Sequence, residues 1–299
     1  MIISASRRTD IPALYAEWFI RRIHAGFCHV PNPFNPRHVS TVSLRPEDVE
    51  VIVFWTRHAR PLLPYLDVLD RFGYRYYFQY TVLGYPRVLD AGAPPVEVAI
   101  ATFQQLARRI GAARVIWRYD PILFSPVCEA DFHRRNFARI AAALQSYTGR
   151  CVISRCSGYR KTTRRIHALE AQGVPIAIPD AADPRFLALV SDLADIARAH
   201  GMELVSCAEE ADLRACGVRP GKCVDDVLIR QVFGIQVTAQ KDPGQRAACR
   251  CVVSKDIGMY DTCTMGCVYC YATASVVRAR RNRRRHDPRA SSLLPLAEG

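Results

Sequence analysis

From Ile2 to Cys207, short apolar, β-rich runs alternate with longer segments of helical period. This alternation constrains the chain most, because strands that take turns with helices assemble into a largely parallel sheet and not into a bundle or a sandwich. The runs predict six strands, at 2–5, 51–55, 76–80, 115–119, 152–155 and 202–207, with further short strands around 39–44 and 174–178. Helices are predicted at 13–25, 62–72, 96–110, 130–146, 163–171 and 184–200. The fold class is therefore α/β, a partial or full (β/α) TIM-like barrel over residues 1–207. About half of the residues are apolar, enough for a sizeable core.

In parallel barrels the loops after the strands converge on one face and build the site there. Every predicted strand ends in polar residues: Ser6-Arg7-Arg8-Thr9-Asp10, Thr56-Arg57-His58, Gln79 with Thr81, Arg118 with Asp120, Ser154-Arg155, and Ser206-Cys207. A single polar strand end is ordinary, often a helix cap. Six in register predict a polar, net-cationic mouth suited to a ligand that bears a carboxylate.

After about Ala208 the pattern turns irregular. Eight of the twelve cysteines lie from Cys207 to Cys270. No run reaches the roughly 18 uncharged apolar residues of a membrane span, and the opening MIISASRRTD lacks the apolar centre of a signal peptide. These features predict a cytoplasmic protein, in which thiolates bind metal or do chemistry and disulfides are rare. Residues 208–275 are read as a cysteine-rich cluster-binding region and 276–299 as a basic tail.

The segment Tyr260 to Thr273 reads Y-D-T-C-T-M-G-C-V-Y-C-Y-A-T. Its C-x3-C-x2-C spacing lets one loop offer Cys263, Cys267 and Cys270 to three corners of a 4Fe-4S cluster, thiolate being the soft ligand that iron and sulfide prefer. The fourth iron then has no protein ligand, and the amino and carboxylate groups of S-adenosylmethionine (SAM) can chelate it. Tyr269 precedes the last cysteine, and Gly266 permits a tight turn. The competing reading is a structural zinc site.

A second group comprises Cys207, Cys216, Cys223, Cys249 and Cys251. Four thiolates make a closed site, and Cys207, Cys223, Cys249 and Cys251 are chosen, with Cys216 as the alternate. Such a site holds either a second, auxiliary 4Fe-4S cluster or zinc; spacing does not decide. The remaining Cys28, Cys128, Cys151 and Cys156 default to small buried apolar residues, with Cys156 best placed to face the mouth. The run from Val277 to Arg289 holds seven arginines against one aspartate in a chain of net charge +13. It is either a solvated basic helix or a phosphate-binding surface.

Three stretches together, S-A-S-R-R-T-D-I-P-A from Ser4, R-Y-D-P-I from Arg118, and K-D-P-G-Q-R-A-A-C-R-C-V-V-S-K-D-I-G-M-Y-D-T-C-T-M-G-C-V-Y-C-Y-A from Lys241, resemble the family called domain of unknown function 1848. The resemblance spans nearly the whole chain. It implies a radical SAM-like barrel whose cluster motif lies near the C-terminus instead of after the first strand, with a further cysteine-rich site beside it at Cys207, Cys223, Cys249 and Cys251. The sequence has no Gly-Gly pair of the kind that helps to hold the methionyl group in ordinary radical SAM enzymes. Arg7, Arg8, Asp10, Arg118, Asp120 and Ser154 are the candidates for that task, arginine taking the carboxylate and aspartate the amino group.

The bond broken depends on how the sulfonium is aimed, so either a 5'-deoxyadenosyl or a 3-amino-3-carboxypropyl fragment is released. One branch with this resemblance acts in arsinothricin biosynthesis. It implies a transferase moving the aminocarboxypropyl group to trivalent arsenic, with Arg7, Arg118, Asp120 and Cys156 at the reacting centre. The expected partners are a small-molecule substrate and an external electron donor such as a flavodoxin or ferredoxin. Two other classes stay open: a nucleic-acid enzyme resembling spore photoproduct lyase, suggested by the arginines, and a zinc or iron-sulfur module without activity.

Overall fold

A computed structural model describes residues 1–296, so the last three residues of the basic tail lie outside the described residues. The strands are β1 (Ile2–Ala5), β2 (Phe27–Pro31), β3 (Val39–Ser43), β4 (Val51–Thr56), β5 (Tyr76–Thr81), β6 (Val115–Ile122), β7 (Arg150–Arg155), β8 (Glu203–Ser206), β9 (Arg219–Pro220) and β10 (Lys255–Asp256). The helices are α1 (Ile11–Leu14), α2 (Ala16–Ala25), α3 (Leu66–Arg71), α4 (Val96–Ile110), α5 (Ala130–Leu144), α6 (Arg160–Glu170), α7 (Pro184–Ala199), α8 (Asp226–Phe233) and α9 (Val276–Arg285).

Eight strands form one sheet in the order β10-β1-β4-β5-β6-β7-β8-β9. The pairings of β1 with β10 and β4, and of β8 with β7 and β9, are parallel, as is that of β6 with β7. The fold is thus α/β with a mostly parallel sheet. The sheet is open, with β10 and β9 at its ends, so the full barrel expected as one alternative is not formed.

The chain divides into two compact units. Of the described residues, unit 1 comprises 1–78, 254–266 and 272–296; unit 2 comprises 79–253 and 267–271. The division falls inside β5.

In unit 1, β1 and β4 are buried along almost their whole length. Apolar on both faces, they suit a sheet covered on both sides. Phe54 of β4 stacks on Phe78 at 4.8 Å and meets Phe19 of α2 edge-on at 5.3 Å. Each such buried ring contributes about 1.5–3 kcal/mol by leaving water. The helix predicted at 13–25 is interrupted at Tyr15, whose φ of −137° breaks the helical path. The interruption buries the ring and lets its Oη donate to the Thr262 carbonyl at 2.8 Å. The strand expected around 39–44 exists, but β3 pairs antiparallel with the unforeseen β2 in a separate two-stranded sheet.

In unit 2, α4 buries Ala99, Thr102, Phe103, Leu106, Ala107 and Ile110. α7 repeats the same helical spacing with Phe186, Leu189, Val190, Leu193, Ala194 and Ala197. Such stripes seat a helix on a sheet. Asp183 caps α7 by accepting from the Arg185 amide, with Pro184 at the first helical position. Trp117 of β6 stacks on Phe137 of α5 at 4.6 Å. The stretch expected to form a strand around 174–178 is reduced to a bridge between Ala177 and Phe124.

Candidate functional site

The strand ends of unit 1 gather on one carboxylate that sequence reasoning missed. Asp256, at the end of β10, accepts from Ser4 Oγ at 3.0 Å, Ser6 Oγ at 2.8 Å, and the backbone amides of Arg7 at 2.8 Å and Gly258 at 2.9 Å. The Arg8 guanidinium lies 3.9 Å away. The turn beyond is cramped: a Cβ on Gly258 would sit 2.0 Å from Ser6 Oγ, so only glycine fits. The D-I-G triplet directly before the cluster motif was the available signal.

Arg7 and Arg8 are splayed over aromatic faces. Arg7 donates to Ser254 Oγ at 3.2 Å and lies 5.1 Å from the Trp55 ring centre; Arg8 lies 5.3 Å from that of Tyr260. Asp10 is deeply buried and heavily bonded. It accepts from Thr56 Oγ1 at 2.7 Å and from the amides of Arg57 at 2.7 Å and Ala13 at 3.0 Å, the last as the cap of α1. Burial raises its pKa to about 6 despite those donors, which pull the other way.

Unit 2 brings the second cysteine set together. Cys207 follows β8 and Cys223 follows β9, with their Sγ atoms 3.1 Å apart in a hydrogen bond from Cys223. Cys251 Sγ accepts from the amides of Cys223 at 3.3 Å and Val224 at 3.4 Å. The Cys249 and Cys251 thiols also interact, and the bond between them pushes the Cys249 pKa up. The Cys207 thiol is shifted down, first by the bond from Cys223, whose own thiol is raised well above its usual value by its two thiol neighbours and by burial. Cys216 is half-buried.

Arg118 stands against these thiols. Its Nη1 donates to Cys223 Sγ at 2.7 Å and to Gln79 Oε1 at 3.3 Å, while Gln79 Nε2 donates to the Cys223 carbonyl at 2.9 Å. On its other side Nη2 donates to Asp120 Oδ2 at 2.5 Å, and Ser154 Oγ donates to Asp120 Oδ1. Burial opposes the charge on Arg118, but Asp120, Cys223 and Cys207 outweigh it and hold the guanidinium protonated. Three predicted strand-end residues from β6 and β7 thus form one chain leading to the thiols.

Cys156 is buried, its pKa pushed up to about 12 by that burial and further by Asp120. Cys28, Cys128 and Cys151 are also buried and raised by desolvation. As they stand these are inert thiols.

The C-x3-C-x2-C loop is held from both ends. In unit 1, Thr273 Oγ1 donates to the Cys263 carbonyl at 3.3 Å, the Asp261 amide donates to the Ala272 carbonyl at 3.0 Å, and Gly266 has a φ of +73° that suits glycine. In unit 2, Cys267 bridges to Asp90, the Val268 amide donates to the Leu89 carbonyl at 3.0 Å, and Tyr269 Oη donates to Asp90 Oδ1 at 2.5 Å. Arg165 of α6 donates to the Cys270 carbonyl. Asp90 had no motif to announce it; it sits in a plain L-D-A-G turn.

Among the described residues, no group of three or more His, Cys, Asp or Glu has its donors set to hold a metal ion as it stands. The 3.1 Å between Cys207 and Cys223 is a hydrogen-bond spacing. It is shorter than the roughly 3.8 Å between sulfurs that each lie about 2.3 Å from a tetrahedral zinc. The donor chemistry nevertheless fits a soft metal: four clustered thiols with an obligate cation beside them to balance thiolate charge.

The open, mostly parallel sheet with polar strand ends defines an α/β protein. A family model described as a domain of unknown function, DUF1848, matches residues 2–272, and the chain belongs to that family. No curated protein matches the chain.

Proposed function

We propose that this protein is a radical SAM enzyme acting on a small molecule, with Cys263, Cys267 and Cys270 as ligands of a 4Fe-4S cluster and the sheet as a partial (β/α) barrel. The motif carries the reading. It is strengthened by the place of β10, which lies beside β1 at the edge of the sheet and leads, seven residues after Asp256, to Cys263. In sheet order the motif follows the first strand, although in sequence it follows the last.

When bound, the cluster supplies one electron, received from an external donor, to the SAM sulfonium and so breaks one of its C–S bonds homolytically. The chain's own residues bind and aim the substrate. In unit 1, Arg7 and Arg8 present cations for a carboxylate and Asp10 positions the Arg57 backbone; in unit 2, Asp120 accepts from an amino group. Arg118 and Ser154 fix Asp120 from both sides, so its carboxylate does not need to reorganise on binding. For the reaction we propose release of the 3-amino-3-carboxypropyl fragment and its bonding to trivalent arsenic, with a second electron from the external donor and a proton carrying off one arsenic hydroxyl as water. Cys207, Cys223, Cys249 and Cys251 would hold an auxiliary 4Fe-4S cluster or zinc. The proposed setting is cytoplasmic; among the described residues no helix is long and apolar enough to cross a membrane.

Anaerobic reconstitution with iron and sulfide, followed by reduction in the presence of SAM, is expected to give methylthioadenosine. The variants Cys263→Ser, Cys267→Ser and Cys270→Ser are expected to lose it. 5'-Deoxyadenosine instead would keep the enzyme class and replace the transfer reaction. Zinc without iron in protein purified without oxygen, or an intact cluster that cleaves SAM at neither bond, would falsify the reading.

A further inference from the structure

α9 carries six arginines and no acidic residue. Its inner face holds Ala279, fully buried, and Asn282, half-buried. Its outer face presents Val277, Arg280, Arg281, Arg284 and Arg285, all exposed and spaced i, i+3, i+4, i+7 and i+8, which makes one continuous stripe. Among the described residues no carboxylate pairs with these four arginines, and Val277 is 77% exposed. Like charges at i, i+4 work against a helix, so this stripe is an arrangement that an anionic surface would relieve.

The seat of α9 is the chain immediately before Cys263. Asn282 Nδ2 donates to the Asp261 carbonyl at 2.9 Å, Arg278 reaches Asp261 Oδ2 at 3.5 Å, and the Ala274 amide donates to Asp261 Oδ1 at 2.5 Å. Arg283 lies 4.8 Å over the ring of Tyr15, whose hydroxyl donates to the Thr262 carbonyl at 2.8 Å. Of the two residues that lead into Cys263, Asp261 is fastened directly to this helix and Thr262 is tied to it through Tyr15.

We infer that the outer face of α9 is the docking surface for an acidic one-electron carrier protein that reduces the cluster, an inference that rests on the radical SAM reading. The charge is complementary to such a carrier. The stripe extends about 12 Å at 1.5 Å per residue, the scale of one protein contact, and the exposed Val277 gives it an apolar end that a phosphate backbone does not use. Steering by the arginines brings the carrier to the loop that holds Cys263. Each encounter would pass one electron: the carrier's anionic flavin hydroquinone would be oxidised to the neutral semiquinone, with no proton released, and the electron would go to the cluster.

The test uses the reconstituted full chain, reduced flavodoxin as the probe, and two variants, R280E/R281E/R284E/R285E and the corresponding four-lysine substitution. Flavodoxin-driven cluster reduction is expected to slow about tenfold or more in the glutamate variant, to survive in the lysine variant, and to weaken with rising salt in the parent. Reduction by dithionite, which needs no docking, is expected to be equal in all three. Equal flavodoxin rates in parent and glutamate variant overturn the inference. So does a glutamate variant that loses only binding to DNA or RNA, since the face then belongs to nucleic acid. If dithionite yields no SAM cleavage, the radical reading fails instead. The docking face is then judged by calorimetric flavodoxin binding, and unchanged affinity in the glutamate variant overturns it.

Discussion

Asp10 illustrates how one residue can work at a cost. It accepts three hydrogen bonds, yet burial dominates and raises its pKa from 3.8 to about 6. A carboxyl raised above its unfolded value favours folding most when protonated. Its contribution is complete below about pH 3.8, declines as pH rises toward 6, and is constant above that. Asp10→Asn removes this slope, because the amide does not ionise. It also strips the Arg57 amide of its acceptor, since an amide nitrogen cannot accept, at a cost of about 1–3 kcal/mol. Urea unfolding at pH 4.5, 5.5 and 7 measures both effects; parallel slopes in parent and variant would mean that Asp10 does not titrate in this range. The sequence placed Asp10 among polar strand-end groups but did not reveal that its oxygens serve Thr56, Arg57 and Ala13, because those partners lie on separate elements or are backbone atoms.

The cluster loop, as an element, depends on a contact outside its own motif. Asp90 is 2% exposed and accepts from Tyr269 Oη. We expect Tyr269→Phe and Asp90→Asn each to destabilise the chain, and the double variant to lose less than the sum, with a coupling of about 1–2 kcal/mol. Iron release to a chelator is expected to quicken in both single variants. Additive losses in denaturant midpoint would show that the two side chains act independently. The elements differ in how readable they were. The expected strands of the main sheet, β1 and β4 through β8, are apolar-rich runs largely buried on the sheet, and their composition declares them. β9 and β10 are two residues each, with no room for a pattern; their partners specify them. α8 was overlooked within a region read for its cysteines, although Asp225 caps it by accepting from Val227 and Leu228. Asp256, the hub of unit 1, lies in the two-residue β10, and only the D-I-G triplet that it opens marked it.

For the whole molecule, the second cysteine set is the chief structural question. Its thiols come from the ends of β8 and β9 and from the Cys249 to Cys251 stretch, so a bound metal would tie together three separated pieces of unit 2. Chelator treatment, or Cys223→Ser, is expected to lower the melting temperature and the metal content together, and the element lost, iron or zinc, names the centre. Loss of metal from Cys263, Cys267 and Cys270 alone is expected to abolish turnover with a smaller effect on melting. A melting temperature that ignores removal of the second metal would argue that Arg118 and the hydrogen-bonded thiols hold this region unaided.

The position of β10 also bears on how the molecule is made. A ribosome delivers β1 first and β10 after all the other strands, yet the two are neighbours in the sheet. The outer edge of β1 thus stays unpaired until residue 256 has emerged, and the carboxylate that gathers Ser4, Ser6 and Arg7 arrives with it. Products that stop before Lys255 carry an open edge prone to pair with other chains. Cys263, Cys267 and Cys270 are synthesised after that edge can close, so a metal bound at them would be loaded late in biogenesis, once the sheet has been built.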